Sequence, residues 1–239
     1  MQNFDTGAVL YAKRADVHHP IASLTKIMTA MVVLRTTDPT DVVSTSRLAA
    51  RQEPTELGLR PGERMNVHDL LYALLLHSSN DVAVALAEHV SHSVAAFDAL
   101  MTTQAIDIGL TDTWFASPSG LNDKGYSTAR DLAAMTRWAY RSPTFASIVA
   151  TKSYKLRMPS GKRVRLQNLN DLLFDYRGAI GVKTGYTSKS HWSLVGVAQR
   201  GSTRILVVLL ADPRVPFRDG EALLDWAFAH EATLAGATR

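Results

Sequence analysis

The first two thirds of the chain place apolar residues at the spacing of an α-helix. After Pro20, the residues Ile27, Ala30, Met31 and Leu34 recur at intervals of three and four, which is typical of a helix with one buried face. The same spacing returns several times before residue 150. It predicts helices over about 20–37, 67–75, 82–90, 94–108, 127–140 and 143–150.

The last third changes to short apolar runs of the β type, separated by turn residues. Residues 154–158 and 163–166 flank Pro159-Ser160-Gly161-Lys162 and predict a hairpin. Further strands are expected at 179–186, 192–198 and 204–210, followed by a closing helix over about 217–232. Near the N-terminus, Gly7–Tyr11 predicts a first strand and 42–45 another, whereas residues 50–66, with their Pro and Gly, predict a loop.

This order of elements predicts an α/β protein of the α+β type. We expect an antiparallel sheet flanked by helices, with a helical lobe packed on it and the first strand joining the later ones. A chain of 239 residues can bury a full core as a single domain over 1–239. The helical lobe, at about 38–150, is then inserted between the N-terminal strand and helix and the C-terminal sheet.

Composition and charge narrow the class of protein. Hydrophobic residues make up 46% of the chain and charged residues 20%, as in globular proteins. The net charge is +4, but the basic residues form no block, so we expect no nucleic-acid partner. The absence of cysteine excludes disulfides and thiol catalysis. The histidines are not spaced for metal ligation, and we expect neither a metal nor a cofactor.

The sequence shows neither a signal peptide nor a membrane span. The opening residues Met1-Gln2-Asn3-Phe4-Asp5 are largely polar, and no run approaches the roughly 18 apolar residues of a span. Two interpretations stay open on composition alone. The protein is either cytosolic, or it is exported and its export segment is not part of this chain.

Ser23 and Lys26 stand at the start of the first predicted helix. Residues three apart share a helix face, and a lysine beside a serine can activate the hydroxyl without histidine. The backbone N–H groups at a helix N-terminus have no partner within the helix, so they can also stabilise negative charge that develops during a reaction. The plain alternative is an exposed serine and lysine on an amphipathic helix.

A second candidate is Ser78-Ser79-Asn80, which separates two apolar helical segments. A hydroxyl and an amide held at such a chain reversal can project into a cleft together. The alternative is simple helix punctuation, because serine and asparagine are favoured at helix caps.

A third candidate is Lys183-Thr184-Gly185, inside a predicted strand. Glycine weakens a strand, and one reason for its presence is the close approach of a ligand or of another backbone. The lysine supplies positive potential and the threonine a hydrogen bond. The alternative is a surface strand with a solvated lysine.

The three motifs S-x-x-K, S-x-N and K-T-G occur in this order, a combination found in penicillin-binding proteins and class A β-lactamases. The sequence resembles the serine-type D-alanyl-D-alanine carboxypeptidases, the low-molecular-weight penicillin-binding proteins, over roughly residues 5–232. Other matching stretches are Asp5-Thr6-Gly7 with Val9-Leu10-Tyr11, and residues 22–30, 59–63, 69–75, 80–81, 119–121, 127–132 and 181–185.

This resemblance implies an acyl-enzyme mechanism. Ser23 would attack the carbonyl carbon of the penultimate D-alanine in a peptidoglycan stem peptide, and neutral Lys26 would take its proton. Ser78 would relay a proton to the leaving amine. Asn80 would hydrogen-bond the substrate amide and help to fix Lys26.

The resemblance also implies a substrate-binding strand. Lys183 and Thr184 would hold the terminal carboxylate beside Gly185. The oxyanion hole would be the backbone N–H groups of Ser23 and Tyr186.

Two positions carry a further expectation. Some relatives have histidine in place of Tyr186, and since a backbone donor does not depend on the side chain, we expect altered substrate fit with retained chemistry. Arg218 matches a family arginine that would add charge near the carboxylate. Its alternative is a solvated arginine at a helix start.

The leading prediction is a carboxypeptidase that trims a terminal D-alanine and is acylated by penicillin. A DD-endopeptidase or DD-transpeptidase acting on cross-links would use the same residues. A β-lactamase of the class A type is disfavoured, because those enzymes deacylate through a glutamate on a loop between the second and third motifs. The only glutamate between Ser78 and Lys183 is Glu88, which is predicted to lie in the helix directly after the second motif. A non-catalytic binder is disfavoured because it would not need Ser23, Lys26 and Ser78 together.

Partners and location follow from the substrate. The expected partners are the peptidoglycan stem peptide and β-lactam antibiotics as covalent inhibitors. Peptidoglycan lies outside the cytoplasmic membrane, so the resemblance implies a periplasmic or cell-wall location, with any export signal or membrane anchor in segments absent from this chain. The family usually has a strand ahead of Asp5-Thr6-Gly7, and only four residues precede that turn here. One sheet edge is therefore either truncated or paired with another chain.

Overall fold

A four-stranded antiparallel sheet forms the centre of the fold. The structure is a computed structural model that describes residues 1–237, with side chains described as far as residue 230. The strand order in the sheet is β1 (Gln2–Asn3), β8 (Thr203–Asp212), β7 (His191–Arg200) and β6 (Ala179–Thr187). β6, β7 and β8 form a meander, so β6 stands at one edge and β1 covers part of the other.

Helices cover both faces of this sheet. In chain order they are α1 (Lys26–Thr36), α2 (Val67–Leu75), α3 (Asn80–Ser91), α4 (Val94–Asp107), α5 (Ala129–Ala139), α6 (Pro143–Ala150), α7 (Leu172–Asp175) and α8 (Phe217–Ala237). Two short antiparallel pairs lie outside the main sheet: β2 (Val42–Ser44) with β3 (Arg64–Asn66), and β4 (Ser153–Arg157) with β5 (Arg163–Gln167).

The C-terminal helix α8 packs on one face of the sheet. Leu224 and Ala227 of α8 share a buried cluster with Leu194 and Ile205 of the strands. Gly220 permits the close approach, because a Cβ at this position would lie 2.9 Å from Leu194 Cδ2.

The other face packs on α1 and on the helical lobe. Ile27 and Met28 of α1, Leu74 of α2 and Val195 of β7 belong to one continuous buried cluster. Full burial of each such side chain contributes about 1.5–3 kcal/mol. This cluster fixes the lobe against the sheet and leaves the start of α1 beside the edge strand β6.

The predicted first strand at Gly7–Tyr11 is wrong. The residues that pair with β8 are Gln2–Asn3, and Val9 forms only an isolated bridge to Gln2. Val9 and Tyr11 are 46% and 45% exposed. Leu10 between them is buried, but β8 pairs with Gln2–Asn3, so this run has no partner in the main sheet. The chain start does join the later strands, as expected.

The loop predicted over residues 50–66 is also too long. Its first residues belong to a 3₁₀ turn at Ala49–Arg51, and its last belong to β3, which pairs with β2. The predicted hairpin is present as β4 and β5. Within residues 1–237, no helix has the length and apolar character needed to cross a membrane.

Candidate active site

Ser23 lies in a 3₁₀ turn, Ala22–Thr25, that leads directly into α1. Ala22 has a left-handed φ of +45°, which residues other than glycine rarely adopt. Gly120 packs so closely on this turn that a Cβ there would lie 1.8 Å from the Ala22 carbonyl oxygen. Strain of this kind is common where a backbone must present a functional side chain.

The side chain of Lys26 reaches three acceptors. Its Nζ lies 2.8 Å from Ser23 Oγ, 2.7 Å from Asn80 Oδ1 and 2.7 Å from the Ser119 carbonyl oxygen. An ammonium group donates three hydrogen bonds, which matches this set. A neutral amine can donate to the amide and carbonyl oxygens and accept from the Ser23 hydroxyl, so the geometry serves both protonation states.

Burial holds the pKa of Lys26 well below its usual range. The side chain is fully buried, and burial disfavours the charged form. The positive charge of Lys183 lowers this pKa further, whereas Asp81 opposes the shift. Lys26 is therefore suited to act as a neutral base toward Ser23.

Asn80 begins α3 and holds its side chain in one orientation. Its Nδ2 donates to the Glu53 carbonyl oxygen at 2.9 Å, which leaves Oδ1 to accept from Lys26. Its backbone N–H donates to the Thr55 carbonyl oxygen at 2.7 Å. The loop that precedes β3 thus supports the group that orients Lys26.

Asp81 anchors that loop. One carboxylate oxygen accepts from the N–H of Leu57 at 2.9 Å, and the other accepts from Gly58 at 2.9 Å and Leu59 at 3.0 Å. Hydrogen bonds to a charged group contribute about 1.5–3 kcal/mol each. Asp81 therefore fixes the loop against the start of α3, next to Asn80.

Ser78 occupies the chain reversal between α2 and α3. It is 5% exposed and has a left-handed φ of +65°, a conformation that usually takes glycine at a helix end. One residue, Ser79, separates it from Asn80. Ser78 therefore stands directly before the start of α3, where Asn80 contacts Lys26.

The edge strand β6 carries Lys183 and Thr184, which are 2% and 7% exposed. Burial lowers the pKa of Lys183 to about 7. Its Nζ donates to the Thr184 carbonyl oxygen at 3.2 Å. The second lysine of the site is thus close to half protonated at neutral pH.

Gly185 lets β6 approach the serine. A Cβ at Gly185 would lie 3.0 Å from the Ser23 nitrogen and 3.1 Å from the Ile21 carbonyl oxygen. These are backbone atoms that cannot swing away. Of the two reasons considered for a glycine here, a ligand or another backbone, the structure shows the close approach of another backbone.

Tyr186 follows Gly185 and faces solvent. Its side chain is 53% exposed and packs on Trp192, its cross-strand partner, with ring centroids 4.9 Å apart. The pair forms an aromatic rim at the end of the edge strand.

Arg218 lies in the first turn of α8 and is exposed. This turn packs near Leu194, which is the cross-strand partner of Thr184. Arg218 is therefore on the Thr184 side of the sheet. It lines a surface depression with Asp171 and Asp175.

The structure brings the three sequence motifs together. Direct hydrogen bonds join Ser23, Lys26 and Asn80, and Gly185 contacts the Ser23 backbone. The sequence did not assign a role to the Ser119 carbonyl or to Asp81. The available signals were the family matches at 119–121 and at 80–81.

A helix-start Ser–Lys pair facing a lysine-bearing edge strand is an arrangement found in serine hydrolases that use lysine in place of histidine. The family model for D-alanyl-D-alanine carboxypeptidases, peptidase S11, matches residues 1–213. The chain belongs to this family of serine peptidases, and the predicted family and fold class are confirmed.

Relatives support this assignment over most of the chain. D-alanyl-D-alanine carboxypeptidase DacF of Bacillus subtilis (strain 168) is 35% identical over 96% of this chain. The crystal structure of the D-alanyl-D-alanine carboxypeptidase from Mycobacterium tuberculosis H37Rv is 34% identical, with a TM-score of 0.90 over 95% of this chain and 89% of that one. The Streptomyces K15 DD-transpeptidase structure is 34% identical, with a TM-score of 0.89 over 95% of both chains.

The extent of these matches differs. The chain spans 61% of the length of the Bacillus relative. The match to the Streptomyces structure extends over nearly all of both chains.

Proposed function

We propose that this protein is a serine DD-peptidase that cleaves the terminal D-Ala-D-Ala bond of peptidoglycan stem peptides through an acyl-enzyme. The observation that carries the proposal is the buried Lys26 amine at 2.8 Å from Ser23 Oγ, with its other two contacts satisfied by Asn80 and Ser119. A lysine held in this way has its lone pair directed at the serine hydroxyl when it is neutral.

In the acylation step, Ser23 Oγ forms a bond to the carbonyl carbon of the penultimate D-alanine. Lys26 takes the hydroxyl proton, and the C–N bond to the last D-alanine breaks. Ser78 passes a proton to the leaving amine and takes one from protonated Lys26, which returns both groups to their neutral forms. Water then attacks the ester, giving the shortened peptide and the free Ser23 hydroxyl.

Binding and charge stabilisation come from β6. Lys183, when protonated, and the Thr184 hydroxyl would hold the terminal carboxylate, with Arg218 adding positive charge from α8. The N–H groups of Ser23 and Tyr186 would stabilise the oxyanion. Gly185 supports this proposal, because it permits the strand to lie against the Ser23 backbone.

The same serine would react with β-lactams and release them slowly. The three groups bonded to Lys26 are a hydroxyl, an amide oxygen and a backbone carbonyl. None of these three can serve as the carboxylate base that class A β-lactamases use for deacylation. Glu88 lies in α3, within the helix that follows the second motif.

A second candidate is DD-transpeptidase activity, in which an amine in place of water accepts the acyl group. Its support is the likeness to the Streptomyces K15 DD-transpeptidase over 95% of both chains. The two activities share the acyl-enzyme and differ only in the acceptor.

We infer that residues 1–239 act as one catalytic domain, with the helical lobe of about 38–150 forming one wall of the cleft. Peptidoglycan as substrate places the protein on the outer side of the cytoplasmic membrane, in the periplasm or at the cell wall. Membrane association would depend on segments outside this chain.

Product analysis tests the proposal. The protein is incubated with a stem pentapeptide, with a cross-linked dimer and with a pentapeptide plus an amine acceptor. Release of D-alanine from the pentapeptide, absent in Ser23→Ala, is the expected result. Cleavage of the dimer alone would make the protein an endopeptidase, and transfer to the amine in preference to water would make it a transpeptidase.

A further inference from the structure

His77 directly precedes Ser78 and makes a contact that spans it. Its ring Nδ1 lies 3.2 Å from Ser79 Oγ. The two side chains on either side of Ser78 are therefore joined to each other across the chain reversal. Such a contact restrains the backbone of the residue between them.

The Ser79 hydroxyl bonds to His77 and does not cap the helix. Ser79 is the N-cap residue of α3, yet its side chain makes no capping hydrogen bond. Serine at this position normally accepts from an N–H of the first helical turn. Ser79 is fully buried, so its hydroxyl has His77 as the partner that satisfies it.

Ser78 needs such a restraint. Its φ of +65° lies in the left-handed region, which is costly for a residue with a side chain and is held only where the surroundings impose it. Glycine would adopt the same turn easily, but it would supply no hydroxyl.

We propose that His77 is a positioning residue, and that its contact with Ser79 holds Ser78 in the left-handed conformation that aims its hydroxyl into the cleft. This inference rests on the proposed function, because it assigns the contact to the proton relay at Ser78. The ring acts on the reaction only through Ser78.

The charge state of the ring fits this role. The pKa of His77 is lowered from its usual value, first by burial and then by the charge of Lys183, while Asp81 opposes the shift. The ring is therefore neutral near pH 7 and does not add a second cation beside Lys183. A neutral imidazole can donate to the hydroxyl or accept from it.

The chain offers a matched set of variants. In His77→Asn the side-chain amide stands where Nδ1 stood and can keep the contact, whereas in His77→Gln the amide lies where Nε2 stood and the contact is lost. Ser79→Ala breaks the same contact from the other side. The readout is the rate constant for acylation of Ser23 by a fluorescent penicillin at saturation, measured beside the dissociation constant of the preceding complex and the melting temperature.

We expect His77→Gln and Ser79→Ala each to lower the acylation rate constant by roughly 10- to 100-fold, as misplacement of a catalytic group does. The dissociation constant should change less than twofold, and His77→Asn should stay within about threefold of the wild type. The double variant His77→Gln/Ser79→Ala should be no slower than the slower single variant, because both remove one interaction.

The inference is overturned if His77→Gln acylates at the wild-type rate, if His77→Asn is as slow as His77→Gln, or if the two single losses multiply in the double variant. A fall in melting temperature with an unchanged acylation rate would also overturn it, by making the contact a stability feature only. Failure of the wild-type protein to acylate would instead count against the proposed function, so the two failures are distinguishable.

Discussion

Gly185 of the edge strand lies directly against the backbone nitrogen of Ser23. A Cβ at position 185 would stand 3.0 Å from that nitrogen. The strand that would bind the substrate and the residue that would attack it are therefore in backbone contact, with no side chain between them.

Substituting this glycine should impair acylation more than folding. In Gly185→Ala the methyl group meets backbone atoms, so either β6 or the Ser23 turn must shift by several tenths of an ångström. We expect acylation by a fluorescent penicillin to slow by roughly 10- to 100-fold. The matched control is Gly196→Ala on β7, where a Cβ would meet the flexible end of Leu172; this variant should lose stability and keep its acylation rate per folded molecule.

Removing the amine of Lys26 should abolish most of the catalysis. Lys26→Met keeps the length and burial of the side chain but removes the base, and general-base catalysis contributes roughly 10²- to 10⁴-fold. We expect acylation to fall by that factor with a much smaller change in the free energy of unfolding, because the loss of the hydrogen bonds to Asn80 and Ser119 opposes the gain from removing a buried ionisable group. Acylation within tenfold of the wild type would show that another group activates Ser23.

The pKa of Lys183 makes stability depend on pH. This pKa is about 7 in the folded protein against a usual value of 10.5, so between these values the unfolded chain binds the proton that the folded one has released. The free energy of unfolding should therefore rise with pH across this window, by about 1.4 kcal/mol per unit for this one group. Below a pH of about 7 the folded and unfolded chains both hold this proton, so the free energy of unfolding no longer depends on pH through Lys183.

Denaturant unfolding of wild type and Lys183→Met between pH 7.5 and 9.5 measures this contribution, since the variant lacks the titrating group. As the pH rises, the free energy of unfolding of the wild type should increase relative to that of Lys183→Met. Parallel pH curves for the two proteins would contradict the lowered pKa of Lys183.

The carboxylate of Asp81 should be required for both stability and acylation. In Asp81→Asn one oxygen is replaced by an N–H₂ group that cannot accept from the loop amides, so we expect a loss of about 3 kcal/mol in the free energy of unfolding. Acylation should slow as well, since the freed loop carries the carbonyl groups that hold Asn80.

A suitable control for Asp81 is Asp41→Asn, which makes the same charge change where the carboxylate accepts from the Asp38 N–H in an exposed turn. It should cost less than about 1 kcal/mol and leave acylation intact. Equal losses in the two variants would mean that Asp81 has no special role at the site.

The parts of the site that lie in local motifs could be predicted from the sequence, whereas contacts between distant positions could not. Ser23 and Lys26 are fixed by local spacing, and Lys183 and Gly185 by the strand pattern and the shared motif. The Ser119 carbonyl was not predictable as a contact of Lys26, because a backbone oxygen leaves no residue signature and the two groups are 93 positions apart.

Asp81 and Gly7–Tyr11 show the limits of local patterns. An aspartate in the first turn of a helix is ordinary, and nothing local in the sequence indicates that Asp81 binds a loop 22 to 24 positions earlier. The run Gly7–Tyr11 has strand composition, but a strand also needs a free edge of a neighbouring strand to pair with. The edge of β8 pairs with Gln2–Asn3 instead.

The most direct test of the account is mass spectrometry of the intact protein after exposure to benzylpenicillin, with peptide mapping and a time course after removal of the drug. We predict one adduct, on Ser23, that is absent in Ser23→Ala, strongly slowed in Lys26→Met and retained over many minutes in the wild type. An unmodified protein, or an adduct on another residue, would contradict the assignment of Ser23 as the nucleophile.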